Sequence, residues 1–343
     1  MYYRRWVSED VMNRLRPKGD LRFLVRIALH GELLQYPGIR LDLQLRNEEG
    51  AKEVLSLYAG KTAILNVAFK QGGAVELKAA GSYRRQACAA VLRRYSPGTL
   101  PDSLEADVLR YLAEVRIGPK WISKEGRLQN DLARRYTVGS LPTDKFVIFD
   151  TEPNVGGRDG QVVLEKIQRF FRGHLADLAR KTGRDFYRSG ELSSMGREAD
   201  FIAIGQDNTL YIIEIKHFGA NAGEIYFLPR QIGVYGSLWS HCAPGFIDDI
   251  NRLVAQKEEL GLIPPGSSGR RLWNEDFKIV PVVILGDRDS ARVPSAEVRE
   301  RYVKIREHLS RQRFPGTEPP PLAGLLEYAT TRGEACSLES LGW

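Results

Sequence analysis

Asp200, Glu214 and Lys216 are the residues whose types and spacing are best suited to chemistry in this chain. Apolar runs at 201–204 and 210–215 flank the polar stretch Gly205-Gln206-Asp207-Asn208-Thr209. Short β-branched and aromatic runs around a Gly/Asp/Asn cluster predict a β-hairpin. With Asp207 at the centre of the turn, 204 opposes 210, 202 opposes 212 and 200 opposes 214. Directly opposed residues share a face, with Cβ atoms about 4.5–5.5 Å apart, which makes Asp200 and Glu214 neighbours. Lys216 joins them on that face, and strand alternation sends His217 to the other. Two convergent carboxylates without an imidazole or thiol beside them suit a hard divalent cation, Mg²⁺ first and Mn²⁺ as a substitute. The second strand is apolar on both faces, so ions at its end are costly unless partners compensate. The competing reading is a Glu–Lys pair on a half-exposed edge, solvated as most charged residues are.

Asp200, thirteen further residues, then Glu214-Ile215-Lys216 resembles the PD-(D/E)xK nuclease superfamily, which includes many restriction enzymes, resolvases and recombination exonucleases. In that family the Asp opens the second core strand and the E-x-K lies on the third. Ala199 stands where the family name implies Pro, a departure that removes no ligand. Gln231-Ile232-Gly233-Val234-Tyr235 resembles the Q-x-x-x-Y element of the RecB-like branch. The two side chains share one face of a helix opened by Pro229. An Mrr-like or nuclease-related-domain enzyme would show the same Asp…Glu-x-Lys, so the branch stays open. The resemblance spans about residues 151–290.

It implies metal-dependent hydrolysis of phosphodiester bonds in DNA, with RNA left open, in prokaryotic defence, restriction or DNA repair. Asp200, Glu214 and the Ile215 carbonyl would hold Mg²⁺, and Glu165, on the first helix of the core, is the candidate for one more acidic ligand. Glu165 lies nearly opposite that helix's apolar stripe, as a solvated glutamate would. Lys216 would orient the attacking water or stabilise the transition state as a point charge. Gln231 and Tyr235 would position the phosphodiester or the water.

The elements that must place these residues follow from periodicity. An amphipathic helix is expected over 162–181, with Val162, Val163, Ile167, Phe170, Phe171, Leu175 and Leu178 as its apolar stripe. Residues 183–188 read as the first core strand. Glu191 and Glu198 add acid before the hairpin, and the register sets Glu198 opposite Lys216. Helices over 229–241, 246–260 and 298–312 and a buried strand over 277–285 complete the core. Pro281 argues for an edge or a bulge in that strand, 264–269 is an exposed loop, and 315–321 is extended.

Residues 1–150 read as strands at 21–29, 39–45, 62–69 and 74–79 with helices at 82–95 and 104–115. Arg84, Arg85, Arg93 and Arg94 make the first of these helices basic, for phosphate contact or as a solvated face. The Gly-rich stretch 151–161 is the expected joint, and no Gly-Lys-Ser/Thr follows to make it a P-loop. The fold class expected is α/β: a restriction-endonuclease-like core at 151–343, a mixed sheet flanked by helices, preceded by an α+β domain at 1–150.

No apolar run approaches the roughly 18 residues of a membrane helix, and the N-terminus lacks the apolar core of a signal peptide. Cys88, Cys242 and Cys336 are far apart and odd in number, which suits reduced thiols in the cytoplasm and offers no zinc spacing. The net charge of +7 is concentrated in residues 1–150, which hold 25 Lys and Arg against 17 Asp and Glu. That surplus suggests a polyanionic partner. Two alternatives stand beside the DNA nuclease: a nuclease-fold protein that binds nucleic acid without turnover, and a ligand-activated defence effector with residues 1–150 as sensor. A homodimer is left open.

Overall fold

The computed structural model describes residues 1–48, 52–96, 101–122, 125–183, 198–273, 276–286, 294–315, 320, 322–330 and 337–343. It is an α/β structure with one antiparallel and one mixed sheet, flanked by helices. The backbone divides into two compact units. One comprises Arg4–Thr143 with Asp249–Ser268, the other Met1–Tyr3, Asp144–Asp248 and Gly269–Trp343. Among the described residues, no helix is long and apolar enough to cross a membrane.

In the first unit, α1 (Glu9–Leu15) and α2 (Arg22–His30) precede five strands paired in sequence order, all antiparallel. These are β1 (Leu41–Glu48), β2 (Lys52–Ala59), β3 (Thr62–Phe69), β4 (Val75–Ala79) and β5 (Arg94–Tyr95). The helices α3 (Pro101–Glu114), α4 (Pro119–Ile122) and α5 (Glu125–Tyr136) follow. Strand alternation builds the core: Leu43, Leu45, Leu55, Leu57, Leu65 and Val67 are buried on one face, with Gln44, Ser56 and Asn66 in register on the other.

Two expectations for this unit need correction. Residues 21–29 form a helix rather than a strand, because the polar positions Arg22, Arg26 and His30 recur every four residues and leave Phe23, Leu24, Val25 and Ile27 to the core. The helix expected over 82–95 is two 3₁₀ turns, Gly81–Arg85 and Ala87–Val91, on either side of an extended Gln86. The Gln86 side chain donates to the Arg116 carbonyl (2.6 Å) and accepts from the Arg116 amide (2.8 Å), which ties down the residue that a helix would have to turn. The expected basic helix face is therefore absent. Arg84 donates to the Ala79 carbonyl and Arg93 pairs with Asp107, while Arg85 and Arg94 are exposed.

In the second unit the elements are β6 (Phe146–Thr151), α6 (Arg158–Thr182), β7 (Phe201–Gly205), β8 (Thr209–His217), α7 (Ala222–Tyr226) and α8 (Leu228–Cys242). After α9 (Ile247–Glu259), most of which belongs to the first unit, come β9 (Lys278–Gly286), α10 (Ala296–Ser310), β10 (Leu326–Thr330) and β11 (Leu338–Ser340). The sheet order is β11-β10-β9-β8-β7-β6. β8, β9 and β10 run parallel, and β6–β7, β7–β8 and β10–β11 are antiparallel pairs. The strand expected at 183–188 and Glu191 lie outside the described residues apart from Gly183, which caps α6. The neighbour of β7 is β6, which precedes α6 and falls ahead of the sequence-based joint at 151. Pro281 sits in register with Ile212, one residue before β10 joins β9 at Val282. The strand is interior overall, yet at the proline it still has one open side, as a residue without an N–H requires.

Helix α8 is buried along most of its length and packs on β8 and β9, with α6 and α10 against it. At Gly233 α8 approaches α6 closely: a Cβ there would lie 2.9 Å from the Phe171 ring. The α6–α10 contact holds His174 and His308, whose ring centroids are 5.9 Å apart, with Phe170 edge-on to His174 at 4.4 Å. Burial pushes both imidazoles below their ordinary pKa, with Lys181 adding to the effect and Asp177 opposing it. As pH falls through about 6.5 the unfolded chain takes up these protons before the folded one does, so stability drops. The melting temperature should decline from pH 7 towards pH 5, and His174→Gln/His308→Gln should flatten that decline.

Candidate active site at the end of β8

Pairing between β7 and β8 runs from Ile204↔Leu210 to Phe201↔Ile213, the register expected from the turn. The chain turns tightly at Asn208, which adopts a left-handed φ of 55°, a conformation that Asn tolerates better than most residues. β8 continues beyond its partner to His217, and among the described residues its last positions pair only with β9. On the flank that β7 has left, the Asp200 Oδ2 accepts from the Ile215 amide at 2.7 Å. A carboxylate thus replaces a missing ladder acceptor. In a strand, the N–H and C=O of one residue point to the same side, so the Ile215 carbonyl faces this flank as well.

Glu214 and Lys216 alternate with Ile215 and project together on the α8 side of β8. The Lys216 Nζ donates to Glu214 Oε1 (2.9 Å) and to the Ile215 carbonyl (3.0 Å). Gln231 Nε2, from the first turns of α8, donates to the same Glu214 oxygen at 2.6 Å. The Glu214 side chain is 3% exposed and that of Lys216 12%, so this pair lies below the surface. Tyr235, one turn after Gln231, is also buried. Burial, and then the negative charge of Glu214, push its phenol well above the ordinary range, with the Gln231 hydrogen bond opposing. Tyr235 therefore keeps its proton at physiological pH and serves as a neutral polar group rather than a base. His217 faces the opposite side, where its Nδ1 accepts from the Gly219 amide at 2.7 Å.

The structure thus brings together Asp200, Glu214, Ile215, Lys216, Gln231 and Tyr235. Two expected acids stand apart from them. Glu165 is exposed and accepts from Gln161 one turn earlier (2.6 Å), because the apolar stripe of α6 turns the opposite face to the protein. Glu198 does not pair with Lys216; it accepts from Asn154 Nδ2 at 3.1 Å, across an isolated bridge between those two residues.

The sequence reading passed over two neighbours of the site. The Glu152 amide donates to the Asp200 carbonyl (2.9 Å) from a left-handed backbone at φ 50°, fixing the main chain that carries Asp200. Arg230, next to Gln231 in the chain, is 2% exposed on the first turn of α8, and a cation in a largely apolar run was the signal for it. Asp150, also buried, is occupied elsewhere by the Tyr3 hydroxyl (2.8 Å) and the Thr151 amide (3.0 Å).

Among the described residues, no three His, Cys, Asp or Glu side chains are grouped to hold a metal. The oxygens gathered at this site, among the described residues, are those of two carboxylates and one carbonyl. That set fits Mg²⁺, which commonly takes one or two carboxylates and leaves its other positions to water and substrate phosphate, and it does not fit a soft or imidazole-seeking ion. No protein-family profile, curated protein or solved structure matches this chain.

Proposed function

We propose that this protein is a metal-dependent nuclease that hydrolyses phosphodiester bonds of DNA, with the second unit as a restriction-endonuclease-like core. The observation that carries the reading is the convergence of the Asp200 carboxylate, the Ile215 carbonyl, Glu214 and Lys216 at the end of β8. Asp200, Glu214 and the Ile215 carbonyl would hold Mg²⁺, which when bound supplies charge neutralisation and an acidified water. Lys216, held by Glu214 and the Ile215 carbonyl, would present its positive charge to a water or a phosphate oxygen beside them. Gln231 fixes the Glu214 carboxylate through Oε1, and the protonated Tyr235 keeps that wall of the site polar and uncharged. The Asp200–Ile215 hydrogen bond locks the acid to the end of β8, so little reorganisation remains when substrate arrives.

The test is an assay of supercoiled, linear and single-stranded DNA, and of RNA, each with Mg²⁺, Mn²⁺ or EDTA. Cleavage with either metal and none with EDTA is expected, and a protein inert on every substrate would remove the enzyme reading. One observation favours the reading without turnover. The Lys216 ammonium already bonds Glu214 and Ile215, two groups that a cation would use. Metal-independent DNA binding without cleavage would select that alternative.

A further inference from the structure

We propose that the outward face of α6, centred on Lys166, Arg169 and Arg172, is a docking ridge for the phosphate backbone of duplex DNA; the choice of polyanion rests on the nuclease reading above. α6 buries Leu164, Ile167, Phe171 and Leu175 along one side and exposes Lys166, Arg169 and Arg172 on the other. These three are spaced i, i+3 and i+6, so like charges stand one turn apart, a pattern that destabilises a free helix.

Helix α10 treats its cations differently. There Arg301 pairs with Glu297 (2.6 Å) and Lys304 with Glu300 (2.5 Å), each with a carboxylate one turn earlier. On α6, Lys166, Arg169 and Arg172 have no carboxylate partner among the described residues. Glu165, placed one turn before Arg169, is held by Gln161 instead. Asp177 pairs with Arg180 and Asp159 faces the N-terminal amine. A solvated face would be expected to neutralise itself as α10 does, whereas this one keeps its positive charge unspent. Gly173 and Ala176 are also exposed beside the cations, so the ridge has no bulky side chain to hold a polyanion off. From 166 to 172 the helix advances about 9 Å, a length over which a DNA duplex carries about five phosphates.

The experiment measures anisotropy of a labelled DNA duplex across a salt series, in EDTA and in an Asp200→Asn background that prevents cleavage. Lys166→Gln/Arg169→Gln/Arg172→Gln should weaken binding about tenfold to a hundredfold and lower the slope of log affinity against log salt by about 2.7. Lys70→Gln/Lys78→Gln/Lys304→Gln removes the same charge from cations that face carboxylates and should change affinity less than about threefold, as expected of surface pairs. Arg169→Lys, which keeps the charge, should retain the parent slope, and melting curves establish that each variant is folded. A parent that does not bind the duplex, equal losses in the two triple variants, or an unchanged slope in the ridge variant would each overturn the proposal. Cleavage by the wild-type protein with Mg²⁺, measured on the same duplex, reports separately on the nuclease reading.

Discussion

Asp200→Asn is expected to lower metal-dependent DNA cleavage by about a thousandfold or more while leaving the protein folded. The amide side chain can still offer an oxygen to the Ile215 amide, which Asp200 Oδ2 holds at 2.7 Å, so the end of β8 keeps its acceptor. What is lost is one unit of negative charge where, on the proposed reading, a divalent cation would be held. A bound metal contributes several kcal/mol of transition-state stabilisation, and about 4 kcal/mol corresponds to a thousandfold in rate. Glu214→Gln should lose activity to a similar extent, since its Oε1 can still accept from Gln231 and Lys216. Glu165→Gln should cleave at the wild-type rate, because Glu165 is exposed and bonded to Gln161. Initial rates at saturating Mg²⁺, with thermal melts alongside, test all three. Unimpaired cleavage by Asp200→Asn would remove the catalytic assignment.

The hairpin was legible in the sequence because everything that sets it is local: two apolar runs, a polar turn and a period of two fix the register within twenty residues. The bond from Gln231 to Glu214 was not legible: resemblance grouped Gln231 with the site, but no local pattern states which face of a buried helix meets which strand. The neighbour of β7 was not legible. β6 is separated from it by the whole of α6, and the Gly-rich stretch after Thr151 looks like a joint although the strand before it belongs to the same sheet. α2 was misread because a short, nearly continuous apolar run has the same composition in either form, and the four-residue spacing of its polar positions was the only distinction. The 82–95 segment failed for a different reason. Its helical composition was overridden by two hydrogen bonds from the Gln86 side chain to the Arg116 backbone, thirty residues away, which no window of sequence contains. β2 was passed over although Leu55, Leu57 and Ala59 alternate with Ser56 and Tyr58 as a strand should.

Lys216→Met should be the most destabilising single change in the site, and Mg²⁺ should reverse part of the loss. The Glu214 side chain is 3% exposed and that of Lys216 12%, so solvent screens their interaction little. Removing one partner of a buried pair costs about 3–5 kcal/mol, because the other charge is left without compensation. Gln231 still donates to Glu214 in the variant, which places the expected loss near the lower end, about 3 kcal/mol. The same change takes a competitor away from the metal site. In the wild-type protein a bound cation would share Glu214 and the Ile215 carbonyl with the ammonium; in Lys216→Met it would not. Mg²⁺ should therefore raise the melting temperature of the variant more than that of the wild type, since a ligand at about 100 times its Kd adds about 2.7 kcal/mol. Cleavage should fall nonetheless, because the positive charge that would stabilise the transition state is gone. The double variant Lys216→Met/Glu214→Gln replaces the ion pair by neutral groups and should recover stability relative to Lys216→Met, the mark of a coupled pair in a double-mutant cycle. If Lys216→Met melts with the wild type and its melting is insensitive to Mg²⁺, the lysine is solvated rather than held, and the site at the end of β8 has no electrostatic basis.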